Sequence, residues 1–240
     1  MKVLITNDDS IYSPGILTLA EAARALGQVF IFAPNVEQSS MGHAITADRP
    51  LTYLRTQIED FEAYRVDGTP ADCVALGAAR ISGLDVVLSG INQGTNLGNA
   101  IWHSGTLAAA KQAALLGLQG IAVSMPVVEA GYDYAALRPY LQQVFDRVVG
   151  DRRLPLVNVN MPLEPRGVRW TRQSVSLYDG TVVRGQHPRG REIYWFVVEP
   201  IEEVEEDTDR FAFQAGYVSM TPLRLDLTDH AALERVLGYR

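Results

Sequence analysis

The sequence predicts an α/β fold: a three-layer α/β/α sandwich around a mostly parallel sheet, with a β-hairpin extension and a C-terminal segment. Up to Pro162, short apolar runs alternate with stretches of helical spacing, an order that implies parallel strands joined by right-handed crossovers. The runs are continuously apolar, as strands covered by helices on both faces require. Beyond Gly167 the pattern changes to polar strand-like segments followed by an aromatic stretch at 193–198.

The first strand is 3–6, ended by Asn7-Asp8-Asp9-Ser10. Ser13-Pro14-Gly15 opens a helix with an N-cap and a first-turn proline; Ile16, Leu19, Ala20, Ala23 and Leu26 keep helical spacing until Gly27. A buried strand follows at 29–33. Residues 34–48 are polar and aperiodic, a loop length usually tied to function. Weaker strands are expected at 51–55 and 64–66. Thr69-Pro70-Ala71-Asp72 starts a helix to about Ile81. The strand at 85–88 leads into a glycine- and amide-rich loop at 89–99, a helix from Ser104 to near Gly117, and a strand at 121–124. An amphipathic helix at 134–149 and a strand at 156–160 complete the alternating part. In the remainder, Asp179-Gly180 is expected to turn a hairpin at 177–198. An acidic run spans 202–209, a strand or two lie in 217–227, and a short helix fills 229–237. We therefore divide the chain into a core at 1–165 and a hairpin extension with C-terminal segment at 166–240, both within one domain.

The chain has 240 residues, 47% of them hydrophobic and 20% charged, so it is expected to fold rather than remain disordered. Its net charge of -7, with no basic cluster, argues against a polymeric nucleic-acid partner. The first apolar stretch is too short for a signal peptide or membrane span. One cysteine, Cys73, excludes an internal disulfide and any cysteine-rich zinc site, which makes cytoplasm the simplest expectation.

Open parallel sheets bind ligands beyond the carboxyl ends of their strands. Those loops deliver Asp8 and Asp9, then Ser39 and Ser40, then Asn92 and Asn96. Adjacent carboxylates repel each other unless they point apart or a cation lies between them. Hard oxygen donors without a histidine pair favour Mg²⁺ or Mn²⁺ over Zn²⁺, although an Asn-Asp-Asp turn also suits a solvated loop. Ser104-Gly105-Thr106 heads a helix whose unpaired N–H groups suit a phosphate, or Ser104 is a plain N-cap. A metal site and an anion site on one sheet edge together suggest phosphoryl chemistry. His103 reads as a loop residue, Cys73 as core, and Lys111 as one turn too deep to reach phosphate. Tyr194 and Trp195 read as hairpin packing or an oligomer contact.

Asn7-Asp8-Asp9 with Ser13-Pro14-Gly15, Ala33-Pro34 leading to Ser39, Gly68-Thr69-Pro70-Ala71-Asp72-Cys73, Ser89-Gly90-Ile91-Asn92 with Asn96-Leu97-Gly98, and Ser104-Gly105-Thr106 resemble the SurE family of stationary-phase survival nucleotidases. Asn158-Val159-Asn160, Gly216-Tyr217-Val218-Ser219 and Thr221-Pro222 extend the resemblance nearly end to end. It implies a Rossmann-like sheet with a protruding hairpin and a C-terminal segment exchanged between subunits of a homodimer or homotetramer. The implied activity is metal-dependent hydrolysis of 5′- and 3′-nucleoside monophosphates, with some members also trimming short polyphosphate. By position, Asp8, Asp9, Ser39 and Asn92 would hold the metal. Asn96, Ser104, Gly105 and Thr106 would lie at the phosphate, with Asp8, Asp9, Asn96 and Ser104 catalytic. The chain departs from the family at Ser10, where glycine is usual; a side chain there restricts the loop if positive φ is required.

Two rivals fit less well. A phosphoacceptor signalling domain also has an acidic pair after its first strand but needs a third aspartate after its central strand, where this chain has Gly68-Thr69 and Ser89-Gly90. A non-catalytic dinucleotide binder needs a glycine fingerprint that the first strand-helix turn lacks.

Overall fold

In a computed structural model, residues 1–175, 180–198, 201 and 204–238 are described. Strand β1 (Lys2–Thr6) lies mid-sheet and alternates sides, as strand geometry demands: Val3 and Ile5 enter one core and Leu4 the other. Strands β2 (Gln28–Pro34), β3 (Tyr53–Ile58), β4 (Phe61–Val66), β5 (Val86–Gln93), β6 (Gln119–Met125), β7 (Leu156–Asn160), β8 (Val168–Trp170) and β11 (Val218–Pro222) complete a nine-stranded sheet. Its order is β3-β4-β2-β1-β5-β6-β7-β11-β8. From β4 to β7 all pairings are parallel, whereas β3 runs antiparallel to β4 and β11 antiparallel to β7. A separate two-stranded hairpin joins β9 (Gly180–Gln186) to β10 (Glu192–Val198).

Helices α1 (Pro14–Ala23) and α4 (Arg138–Val148) pack together on one face, burying Ile16, Leu19, Leu141, Val144 and Phe145 with Val3, Ile5 and Val123. On the other face, α2 (Pro70–Arg80) and α3 (Gly105–Leu115) cover Leu4, Phe32 and Val87 with Cys73, Val74, Ala109 and Ala113. The expected three-layer α/β/α arrangement is thus present. Helix α5 (Asp209–Gln214) precedes β11, and α6 (His230–Leu237) ends the described chain. No helix among the described residues is long and apolar enough to cross a membrane.

Four elements differ from the sequence expectation. Strand β5 runs five residues past Leu88: after a bulge its polar end pairs on, with Asn92 opposite Ser124 and Gln93 opposite Met125. Strands β3 and β4 extend to a tight turn at Glu59 and Asp60, so the weak pair is an edge hairpin. The β9-β10 reversal lies at 187–191, where the Gly190 N–H donates to His187 O; Gly180 opens β9 and Asp179 lies outside the described residues. The acidic run ends in α5, capped by Thr208, whose Oγ1 accepts from the Phe211 N–H. Glu202 and Glu203 of that run lie outside the described residues.

Strand order reverses at β1: the chain passes from it to β2 on one side and later returns as β5 on the other. The carboxyl ends of β1 and β5 therefore flank the crevice that this topology opens to ligands.

Candidate active site

A cavity of about 710 Å³ lies at that switch point, lined by Asp8, Ser39, Asn92, Asn96 and Ser104 among others. Five predicted residues, brought by the carboxyl ends of β1, β2 and β5 and the chain that follows each, therefore line one cavity. Asp9, Gly105 and Thr106 are not among its lining residues.

Asp8 is 4% exposed. Its Oδ1 accepts from Thr106 Oγ1 at 2.7 Å, and a Cβ placed on Gly105 would meet its Oδ2 at 2.9 Å. The carboxylate thus rests on the head of α3, and glycine is what lets it lie so close. Burial pushes the Asp8 pKa up to about 6; the Thr106 hydroxyl pulls the other way and the Asp9 charge adds to the rise. Burial also raises Asp9, opposed by the Gln93 N–H, which donates to its Oδ2 at 3.0 Å, and assisted by nearby Glu37. Among the described residues neither carboxylate forms an ion pair.

The loop carrying Ser39 is tied at both ends. Its Gln38 N–H donates to Asp8 O at 2.8 Å. Further on, Thr46 N and Oγ1 donate to Asp72, which also closes the capping box of α2 with Thr69. Ser39 is exposed and its hydroxyl donates to Glu37. Asn92 donates Nδ2 to Gly94 O at 2.6 Å, which turns its carbonyl oxygen away from that bond.

Asn96 is held by its neighbours in the sheet. Its N–H donates to Asn160 Oδ1 at 2.7 Å, its carbonyl accepts from Asn158 and Asn160 Nδ2, and its own Nδ2 donates to Ser124 Oγ at 2.8 Å. One Nδ2 hydrogen stays near Thr106 Oγ1 at 3.5 Å, too long to be committed there. Ser104 caps α3 by accepting from the Leu107 N–H at 3.0 Å. Ser104 is the N-cap, and it also lines the cavity.

Ser10 sits at φ 83°, the left-handed region that the departure from glycine had put in question. The Asn7 side chain secures the turn by donating to Ser10 O and Ser13 Oγ. Cys73 is fully buried, and Lys111 turns to Ile101 O, away from this cavity.

Sequence reasoning missed part of the lining, notably Gln93, Gly94, Phe196 and Val198, and it read His103 as a plain loop residue although it lines the cavity. Phe196 and Val198 come from the hairpin, and their two-residue spacing on a strand was the available signal that they share a face. Nothing local said that this face meets the end of β5.

The donors fit a hard divalent cation. The partly desolvated Asp8 carboxylate, a hydroxyl and amide oxygens line the cavity, with the Asp9 carboxylate adjoining Asp8 in the chain, and among the described residues neither carboxylate has a cationic partner. No group of three or more His, Cys, Asp or Glu able to hold a metal exists among the described residues, so the set is mixed in oxygen type.

A family model described as survival protein SurE matches residues 3–180. The chain is 46% identical over 245 residues to 5'-nucleotidase SurE 1 of Thermus thermophilus, covering 99% of this chain and 97% of that one. It is 46% identical over 237 residues to 5'-nucleotidase SurE of Deinococcus radiodurans, covering 95% and 88%. The crystal structure of SurE protein from Aquifex aeolicus superposes with a TM-score of 0.84 at 36% identity, covering 99% of each chain.

Proposed function

The chain belongs to the SurE family, and from that membership we propose that it is a divalent-metal-dependent phosphomonoesterase. It hydrolyses 5′- and 3′-nucleoside monophosphates to nucleoside and phosphate, with short-chain polyphosphate as a further substrate. The observation that carries this reading is the meeting of Asp8, unneutralised and desolvated, with the head of α3 at the switch point of the sheet. The names of the Thermus and Deinococcus relatives support the nucleotide part of it.

Asp8, Asp9, Ser39 and Asn92 would hold Mg²⁺ or Mn²⁺. When bound, such a cation neutralises phosphoryl charge and acidifies a water. The protein's own residues do the rest. Thr106 keeps one Asp8 oxygen hydrogen-bonded and fixes the carboxylate's orientation, while Asp8 or Asp9 orients the attacking water or accepts its proton. Asn96 Nδ2 and the N–H groups heading α3, from Ser104 to Thr106, bind the phosphoryl oxygens as charge moves toward the leaving group, the Thr106 N–H being shared with the Asp8 carboxylate. The sheet contacts that immobilise Asn96 pre-set its geometry before substrate arrives.

Exposed Val182, Tyr194 and Trp195 on the hairpin, with Leu233, Val236 and Leu237 on α6, support a homodimer or homotetramer. A cytoplasmic setting suits a buried lone cysteine. A membrane partner and a nucleic-acid polymer remain outside the reading.

The deciding experiment measures phosphate release from a panel of 5′- and 3′-nucleoside monophosphates with Mg²⁺, Mn²⁺ or chelator, for the natural protein and Asp9→Asn. Cation-dependent release that the variant loses is expected. No release under any cation would overturn the reading in favour of a binding or signalling domain.

A further inference from the structure

The acidic run at 202–209 contains one aspartate that is not solvated at all. Asp209 is 0% exposed, and no step above uses it. Its carboxylate accepts three backbone N–H groups: Gly98 at 2.8 Å on Oδ2, and Ser174 at 2.9 Å and Arg210 at 2.8 Å on Oδ1. Burial raises its pKa against the pull of those donors. The Arg210 bond is local, but the Gly98 bond reaches 111 residues back in the chain to the loop that carries the site.

That loop is clamped from two directions. On the sheet side, Asn158, Asn160 and Ser124 grip Asn96. On the α5 side, Asp209 takes the Gly98 N–H, Arg210 donates to Leu97 O at 3.4 Å, and Gln173 donates to Gly98 O at 3.2 Å. The fit is tight: a Cβ on Gly98, at φ 55°, would meet Arg210 Nε at 2.7 Å. Gly98 also begins the 3-10 turn Gly98–Trp102, which leads through His103 to Ser104. The same anchor therefore bears on both phosphate-side residues.

We propose that Asp209 is a positioning residue, which sets Asn96 and Ser104 for the reaction by holding Gly98 and never touches substrate. The proposal rests on the phosphomonoesterase reading. A buried carboxylate suits three converging donors because it only accepts; an asparagine would turn an N–H toward another N–H.

Asp209→Asn tests it, alone and combined with Asn96→Ala. Displacement of a catalytic geometry by about 1 Å costs on the order of 100-fold, so kcat is expected to fall about 10- to 100-fold in the single variant. In the Asn96→Ala background the same change should lower kcat by a smaller factor than it does alone, because the part of the effect that passes through Asn96 is already lost and only the part that passes through Ser104 remains. Hydrogen exchange at the Gly98 and Ser174 amides should quicken about tenfold or more while β1 and β6 stay protected. A kcat within about twofold of the natural protein, costs that multiply in the double variant, or unchanged exchange would each overturn the proposal. Should Asp209→Asn fail to fold, Asp209→Glu carries the same tests, since it keeps an acceptor-only group displaced by one methylene. Exchange does not depend on turnover, so absence of phosphate release from the natural protein would remove the reaction reading separately from the clamp.

Discussion

At the scale of the residue, Asp8 shows a function opposed to stability. Its carboxyl titrates near 6 in the folded chain against 3.8 for an ordinary aspartate. Below about pH 4 both states are protonated and the difference contributes nothing. As pH rises through that interval the unfolded chain ionises first, so the native state is progressively penalised, by up to about 3 kcal/mol at neutral pH. Asp8→Asn is therefore expected to be more stable than the natural protein in chelator at pH 7.5, with the gap closing by about pH 4, while phosphate release falls about 100-fold or more. Urea unfolding at both pH values checks this; equal stability at pH 7.5 would contradict it. Ser10 is a second costly residue. A non-glycine side chain at φ 83° carries strain of about 1–3 kcal/mol, against roughly 0.5–1 kcal/mol of chain entropy that glycine loses on folding. Ser10→Gly should gain about 1 kcal/mol with turnover unchanged, read as a shift in the urea midpoint.

At the scale of the element, α3 heads the proposed phosphate site, and its first residue sets how near Asp8 can come. Gly105→Ala would place a methyl 2.9 Å from the Asp8 Cβ and Oδ2, both close to backbone. Turnover is expected to drop about tenfold or more while melting temperature changes little, since alanine is the better helix former. A variant with normal kcat would show that Asp8 has room to move. Helix starts were legible because capping is local chemistry: Thr69 and Ser104 accept from Asp72 N and Leu107 N as their positions predicted. The end of β5 was illegible for the converse reason. Gly90 and Asn92 are residue types that strands disfavour, and the stretch pairs because β6 lies alongside.

At the scale of the whole molecule, the hairpin β9-β10 stands apart from the nine-stranded sheet, with Tyr194, Trp195 and Phe196 each about 60% exposed. Exposed apolar side chains gathered on this ribbon support the proposed subunit interface. Sedimentation should give a multiple of the 26.4 kDa chain mass, and Trp195→Glu should lower that multiple. A monomer with the natural sequence would remove the oligomer reading. Phe196 also lines the cavity, so a change in assembly is expected to alter KM as well.

The sequence by itself determined the layers, the parallel core and the loops that carry chemistry, because burial periodicity, helix caps and strand-end carboxylates are written in neighbouring residues. Asp8, Ser39, Asn92, Asn96 and Ser104 were each visible at the end of a predicted strand or the head of a predicted helix. Only the tertiary structure decided which of them meet, that Asp9, Gly105 and Thr106 are not among the cavity's lining residues, and that Asn158, Asn160 and Asp209 hold the loop at 96–98. Those contacts join residues 62 to 111 positions apart. No local pattern encodes such a pairing; it follows from the strand order, which brings β7 and the C-terminal segment back against the crevice beside β1 and β5.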